Sequence, residues 1–258
     1  MAEAALKTVL AVDVGGTNTS LDLVDVSTSE YRKISSRKLS SHSIIEFPEA
    51  VKSTLQKMLS HSPDVRPQAA CFSVAGPVQG RSCKPTNLHW FVDADLLETS
   101  LGFPCSIIND FSAICYAVPL IDPNDTNLLL TIPHTDGSSG IREGSVSAAV
   151  GAGTGLGVGF LIETENGPMV LPSEGGHSAV PAFDSETEEL KDFLSDWYGG
   201  TVGAEPFISG RGIAHIYRFY LATGRIKTRE MKELETTNDN DLPERISQLA
   251  AGNGEAQA

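Results

Sequence analysis

The chain has 258 residues, 40% of them hydrophobic and 20% charged, enough for one large or two modest globular domains with cores of their own. Its formal net charge of -14 opposes nucleic-acid binding through a basic, phosphate-neutralising face. A nucleotide is not excluded, because Mg²⁺ and backbone N–H groups can offset phosphate charge locally.

The apolar run within residues 1–14 is short and broken by Asp13, so a secretory signal is not expected. No run approaches membrane-span length either, which points to a cytoplasmic protein without a membrane partner. The four cysteines, Cys71, Cys83, Cys105 and Cys115, form no C-x-x-C pair and have no histidine cluster beside them. Reduced, buried thiols are the expectation, rather than a zinc site.

In chain order, the β-branched stretch 8–14 predicts a strand, Gly15-Gly16-Thr17-Asn18 a turn, and 19–26 a second strand. Strand–turn–strand makes a hairpin, whereas a P-loop or Rossmann site needs a helix after its glycines. Residues 31–40 predict a third strand. Ile44, Phe47, Val51, Leu55, Met58 and Leu59 follow helical spacing up to about Ser60. A short strand over 69–75, a helix over 93–101 stopped by Gly102, a strand over 105–108 and a helix over 112–121 follow.

The polar stretch 123–144 reads as a seam between two domains. Beyond it, 145–150, Gly151-Ala152-Gly153-Thr154-Gly155 and 156–163 repeat the strand–turn–strand pattern. Ser185-x-x-Glu188 reads as a capping box opening a helix whose apolar face is Leu190, Phe193, Leu194 and Trp197. Another helix is expected over 210–222, and the chain is polar from Lys227 onward.

Several constellations carry chemistry. Gly15 and Gly16 at a hairpin turn can leave convergent N–H groups for phosphate oxygens, with Thr17 as a hydroxyl donor and Asp13 as a water-mediated Mg²⁺ partner. An ordinary Gly-Gly turn remains an adequate alternative. The second loop, with Gly153 and Thr154, gains weight from that pairing: two Gly-Thr hairpins, one per half of the chain, suit a nucleotide's phosphate tail. Asp110, at a strand's carboxyl end before a helix, projects where α/β folds bind ligands, although a helix N-cap would also account for it. Glu174 and His177, on the glycine-tight loop 172–177, can offer acceptors and donors to a polyhydroxyl ligand. Glu205, read alone, is a surface carboxylate.

Taken in order, VDVGGTNTSLDLVD, VAGPVQG, TNLHWFVDADLL, IINDFSAICYAVPLI, GAGTGLGVGFLI, PSEGGH and AEPFISGRGIAHIYRFY resemble the bacterial-type glucokinases. The resemblance spans Asp13 to about Tyr220, and the shared order carries it more than any one motif. It implies an α/β, actin-like/hexokinase-type (ribonuclease H-like) two-domain fold with mixed sheets. Residues 1–121 would form the first domain, and 122–258 a partial second one. It further implies ATP-dependent phosphorylation of glucose at the 6-hydroxyl, ATP and Mg²⁺ as donor and cofactor, a homodimer as one oligomeric state, and closure of the domains over the sugar to exclude water.

Residue by residue, Asp110 matches the family's catalytic aspartate and, with Asn109, Glu174, His177 and Glu205, its sugar ligands. Gly15, Gly16, Thr17 and Asn18 match the first phosphate loop, Gly153 and Thr154 the second, and Asp13 the acidic residue associated with Mg²⁺.

There are departures. Arg211 stands where similar proteins usually carry proline, and His89 occupies a variable position. Members of the family continue past the helix near Tyr220 into a further helix, a strand with a Gly-Gly turn that helps hold adenosine, and a final helix. No such stretch is found after Leu249, so the C-terminal part is expected to be missing. Two alternatives stay open: a kinase for another hexose, and a truncated, catalytically impaired sugar-binding or regulatory form. Related repressors carry a DNA-binding helix-turn-helix before the first loop, and Asp13 comes too early for one.

Overall fold

The computed structural model describes residues 7–27, 31–85, 88–122, 124–138, 144–226, 234, 237–238 and 241–252. They divide between two compact units, Met1–Ile141 and Arg142–Ala258.

The first unit begins with β1 (Thr8–Val14), β2 (Asn18–Asp25) and β3 (Arg32–Ser40), an antiparallel meander. Then come α1 (Phe47–Ser60), β4 (Ala69–Val74), the short antiparallel strands β5 (Val78–Gln79), β6 (Ser82–Cys83) and β7 (Val92–Asp93), α2 (Ala94–Leu101), β8 (Cys105–Asn109) and α3 (Asp110–Ala117). The main sheet has the order β3-β2-β1-β4-β8, with β1, β4 and β8 parallel. Parallel neighbours need crossover connections, and α1 and α2 lie in them.

Alternation along the strands fixes the core. Leu10, Val12 and Val14 of β1, Leu21 and Leu23 of β2, and Ala70, Phe72 and Val74 of β4 are buried. They belong to one cluster with Phe47, Val51, Leu55 and Met58 of α1. Phe47 stacks on Trp90 with centroids 4.6 Å apart and meets the edge of Phe72 at 6.0 Å. Because strands alternate their faces, residues flanking these buried positions stay available at the strand ends.

The second unit opens with β9 (Val146–Ala152), β10 (Leu156–Thr164) and β11 (Gly167–Ser173), an antiparallel sheet of order β11-β10-β9. Helices α4 (Ser185–Tyr198), α5 (Glu205–Ile208), α6 (Gly210–Ala222) and α7 (Leu242–Gly252) follow. Two small clusters surround α6. Leu190, Leu194, Val202 and Phe219 join it to α4, and Ala214, Tyr217, Leu234 and Leu242 join it to α7. The sheet is less well covered: Val146, Val150, Phe160, Met169 and Leu171 all remain exposed.

Most sequence expectations agree with these bounds to within a few residues; the short elements β5, β6, β7 and α5 were not anticipated, and three further points differ. The capping box lies one residue earlier. Asp184 accepts the Thr187 N–H at 2.8 Å, and Thr187 Oγ1 accepts the Asp184 N–H at 3.0 Å. Strand β11 was not anticipated, because Pro168 and Pro172 break its pattern; an edge strand tolerates them. Helix α7 falls in the stretch read only as polar, yet its Leu242, Ile246 and Leu249 reach the α6 cluster. Among the described residues no helix is long and apolar enough to cross a membrane.

Candidate functional site

In the first unit the candidate residues gather at the carboxyl edge of the parallel strands. Val14, Val74 and Asn109 stand in register across β1, β4 and β8, so the loop after β1 and the start of α3 open on the same side, roughly 10 Å apart at strand spacing. The turn itself is closed by the Gly15 N–H donating to Asn18 O at 3.0 Å. Neither Gly15 nor Gly16 takes a positive φ, so the turn makes no use of the left-handed region open to glycine. The N–H groups of Gly16 and Thr17 have no hydrogen-bond partner among the described residues, and Thr17 is exposed.

Ser41 holds this loop in place, and sequence reasoning passed over it. Fully buried, it donates its hydroxyl to Gly15 O at 2.7 Å and its N–H to Thr17 O at 2.9 Å. With its one hydroxyl proton so used, it accepts from Thr19 Oγ1 at 3.0 Å. The Trp90 indole N–H donates to Ser41 O at 3.3 Å. Nothing in the local sequence separates Ser41 from its serine neighbours; only the packed fold does.

Asn109 and Asp110 divide the work at the α3 terminus. Asn109 is the N-cap: its Oδ1 accepts from the Phe111 N–H at 3.0 Å and the Ser112 N–H at 3.3 Å, and its Nδ2 donates to Gly76 O at 3.1 Å. One amide thus ties the helix to the loop after β4. Asp110, relieved of capping, is the first helical residue, and among the described residues only its Oδ1 is engaged, by the Phe111 N–H at 2.9 Å. The cap reading considered for Asp110 therefore belongs to its neighbour. Burial and then the nearby Asp110 charge push the Cys83 thiol up.

Asp13 is exposed and accepts from Ser73 Oγ at 3.3 Å. Among the described residues no group of three His, Cys, Asp or Glu side chains is placed to hold a metal. One exposed carboxylate beside the Gly15–Asn18 turn is compatible with Mg²⁺, which keeps several waters and takes one or two carboxylates.

In the second unit three loops interlock. The Gly153 N–H donates to Gly155 O at 2.9 Å, and Gly153 O accepts from the Gly210 N–H at 2.7 Å. Thr154 is exposed, and its N–H and that of Gly155 find no partner among the described residues. As in the first loop, the leading glycine closes the turn and the next two N–H groups stay open. The Leu156 N–H donates to Glu205 Oε2 at 3.1 Å. Glu205 lies so close under the loop that a Cβ on Gly155 would sit 2.6 Å from that oxygen.

The loop 173–178 packs against the other two. Gly176 is buried with no room for a Cβ, which would run into the Leu156 carbonyl. The Ala204 N–H donates to Ser178 O at 2.9 Å. Glu174 and His177 reach outward, 86% and 67% exposed, with 3.7 Å between Glu174 Oε2 and His177 Nε2. Gly153, Thr154, Glu174, His177 and Glu205 are thus brought together on one set of touching loops.

Comparison with known proteins gives one consistent result. The family model described as Glucokinase matches residues 10–258. The glucokinase of Nostoc sp. (strain PCC 7120) is 38% identical over 213 residues, covering 81% of this chain and 59% of that relative. The chain thus spans less than two thirds of the length of that curated relative. The crystal structure of a glucokinase from an Antarctic psychrotroph superposes with a TM-score of 0.71 at 28% identity, covering 93% of this chain and 74% of that one. The glucokinase of Balamuthia mandrillaris, crystallised with glucose, shares the fold at a TM-score of 0.64 and 23% identity, over 95% of this chain and 73% of its own. The actin-like, hexokinase-type α/β fold expected from the sequence is the one found.

Proposed function

The chain belongs to the glucokinase family, and we propose that it transfers the γ-phosphoryl group of ATP to the 6-hydroxyl of glucose, giving glucose 6-phosphate and ADP. Asp110 is the general base in this reading. Its carboxylate accepts the hydroxyl proton as the sugar oxygen forms its bond to phosphorus and the bond to the β-phosphate oxygen breaks. Positioning and charge neutralisation dominate such transfers, with little covalent work for the protein.

The observation that carries the reading is the division of labour at α3. Asn109 takes the cap, which leaves Asp110 with one oxygen unengaged among the described residues, at the carboxyl edge of the sheet. The open N–H groups of Gly16, Thr17, Thr154 and Gly155 suit phosphate oxygens. Asn109, Glu174, His177 and Glu205 supply the mixed donors and acceptors that sugar hydroxyls require. Bound Mg²⁺, held through water by Asp13, would neutralise phosphate charge. The four unpaired cysteines support a reducing, cytoplasmic setting.

The test is Asp110→Asn in a coupled ADP assay. Loss of a general base lowers the rate about 10²- to 10⁴-fold, and activity within about tenfold of wild type would contradict the assignment. The same assay with fructose, mannose and N-acetylated hexosamines reports sugar choice. Separate calorimetric titrations with glucose and with ATP distinguish transfer from sugar binding alone.

A further inference from the structure

Glu205 holds two positions at once. One carboxylate oxygen, Oε2, accepts the Leu156 N–H at 3.1 Å, at the point where the second Gly-Thr loop passes into β10. The other, Oε1, has no hydrogen-bond partner among the described residues. The contact is built in from both sides. Gly155 lacks the Cβ that would displace the carboxylate, and Gly210, at the start of α6 just beyond the short α5 that carries Glu205, anchors Gly153 O. A carboxylate oxygen accepting a backbone N–H makes a charge-assisted bond, stronger than a neutral one. It restrains a loop whose other polar contact to the α5–α6 segment, among the described residues, is the Gly153–Gly210 bond.

We propose that Glu205 is a positioning residue for the second Gly-Thr loop, and that it couples this loop to the sugar. Oε2 fixes the loop, Oε1 remains for a sugar hydroxyl, and the rigid carboxylate makes one geometry depend on the other. A sugar that orders Oε1 orders Oε2 with it, and the loop N–H groups of Thr154 and Gly155 are then held ready for phosphate. The coupling half rests on the sugar-kinase reading above; the positioning half does not.

Hydrogen exchange of residues 153–157 in the full chain, without ligand, tests the positioning half. Glu205→Ala and Glu205→Asp, which remove or withdraw the carboxylate, are expected to speed exchange of the Leu156 amide by about tenfold or more, the loss of one charge-assisted bond. Glu205→Gln, whose carbonyl oxygen can accept the same N–H, stays within about threefold of wild type. Unchanged exchange in both Ala and Asp variants, or a Gln variant as fast as Ala, would overturn the positioning role.

Steady-state kinetics then separate coupling from general loosening. Glu205→Gln raises the KM for glucose while leaving that for ATP unchanged, whereas Glu205→Ala raises both. Equal effects of the two substitutions on the ATP KM would overturn the coupling. Absence of turnover in the wild-type chain would instead count against the kinase reading, with the exchange result still deciding whether Glu205 holds the loop.

Discussion

The two Gly-Thr loops have similar backbone plans and are held by different means. In each, the leading glycine N–H closes the turn and the following two N–H groups stay open. The first loop is fixed from beneath by Ser41, a fully buried neutral hydroxyl, with Trp90 locking the serine in turn. No candidate ligand residue takes part in that support. The second loop is fixed by Glu205, a candidate sugar ligand, and packs directly on the loop that carries Glu174 and His177. A support buried in the core makes a loop rigid whether or not a substrate is bound. A support that also faces the substrate makes the loop responsive to it.

Substitutions can break this contrast, and the largest effect is expected at the tightest contact. Gly176→Ala drives a methyl into the Leu156 carbonyl. Forcing backbone apart in a packed region costs about 3 kcal/mol, so the urea midpoint of the second unit falls and both KM values rise, because two loops move together. Ser41→Ala is next. It leaves Gly15 O without its buried donor and costs about 2 kcal/mol, read as a lower midpoint for the first unit. Its expected kinetic effect falls on the ATP KM alone, with the glucose KM unchanged.

The smallest effect sharpens the point. Glu98 in α2 is also a carboxylate that holds backbone: Oε1 accepts the Cys105 N–H at 2.9 Å and pairs with Arg81 at 2.6 Å. The Cys105 N–H and then Arg81 hold its carboxyl below the ordinary 4.5. A depressed carboxyl pKa contributes stability above the unfolded-state value and loses it as pH falls through the folded value. Thermal midpoints are therefore expected to decline below pH 4.5, and Glu98→Gln to flatten that acid limb. Glucose binding stays as in wild type, because Glu98 touches no candidate ligand.

Much of this was legible in the sequence, and the rest was not for physical reasons. The hairpins around both loops and helix α6 follow from β-branched runs, glycine turns and helical spacing, which are local signals. The candidate ligand set came from motif order alone. What local signals could not separate were residues chosen by distant partners. Ser41 sits among serines of equal propensity, and Glu205 looks like any surface carboxylate until Leu156 is folded over it. Asp110 and Asn109 are both good caps, and only the folded helix start, with Asn109 Oδ1 accepting the Phe111 and Ser112 N–H groups, separates them. Helix α7 was hidden by polar composition, since its three apolar contacts are too few to raise a pattern without the α6 face they meet.

The central contrast is tested most directly by measuring hydrogen exchange of both loops in one sample of the wild-type chain, with and without saturating glucose. Glucose is expected to slow exchange across 153–157 and to leave 15–18 unchanged. Equal slowing of both loops, or no change at 153–157 while calorimetry shows glucose bound, would contradict it.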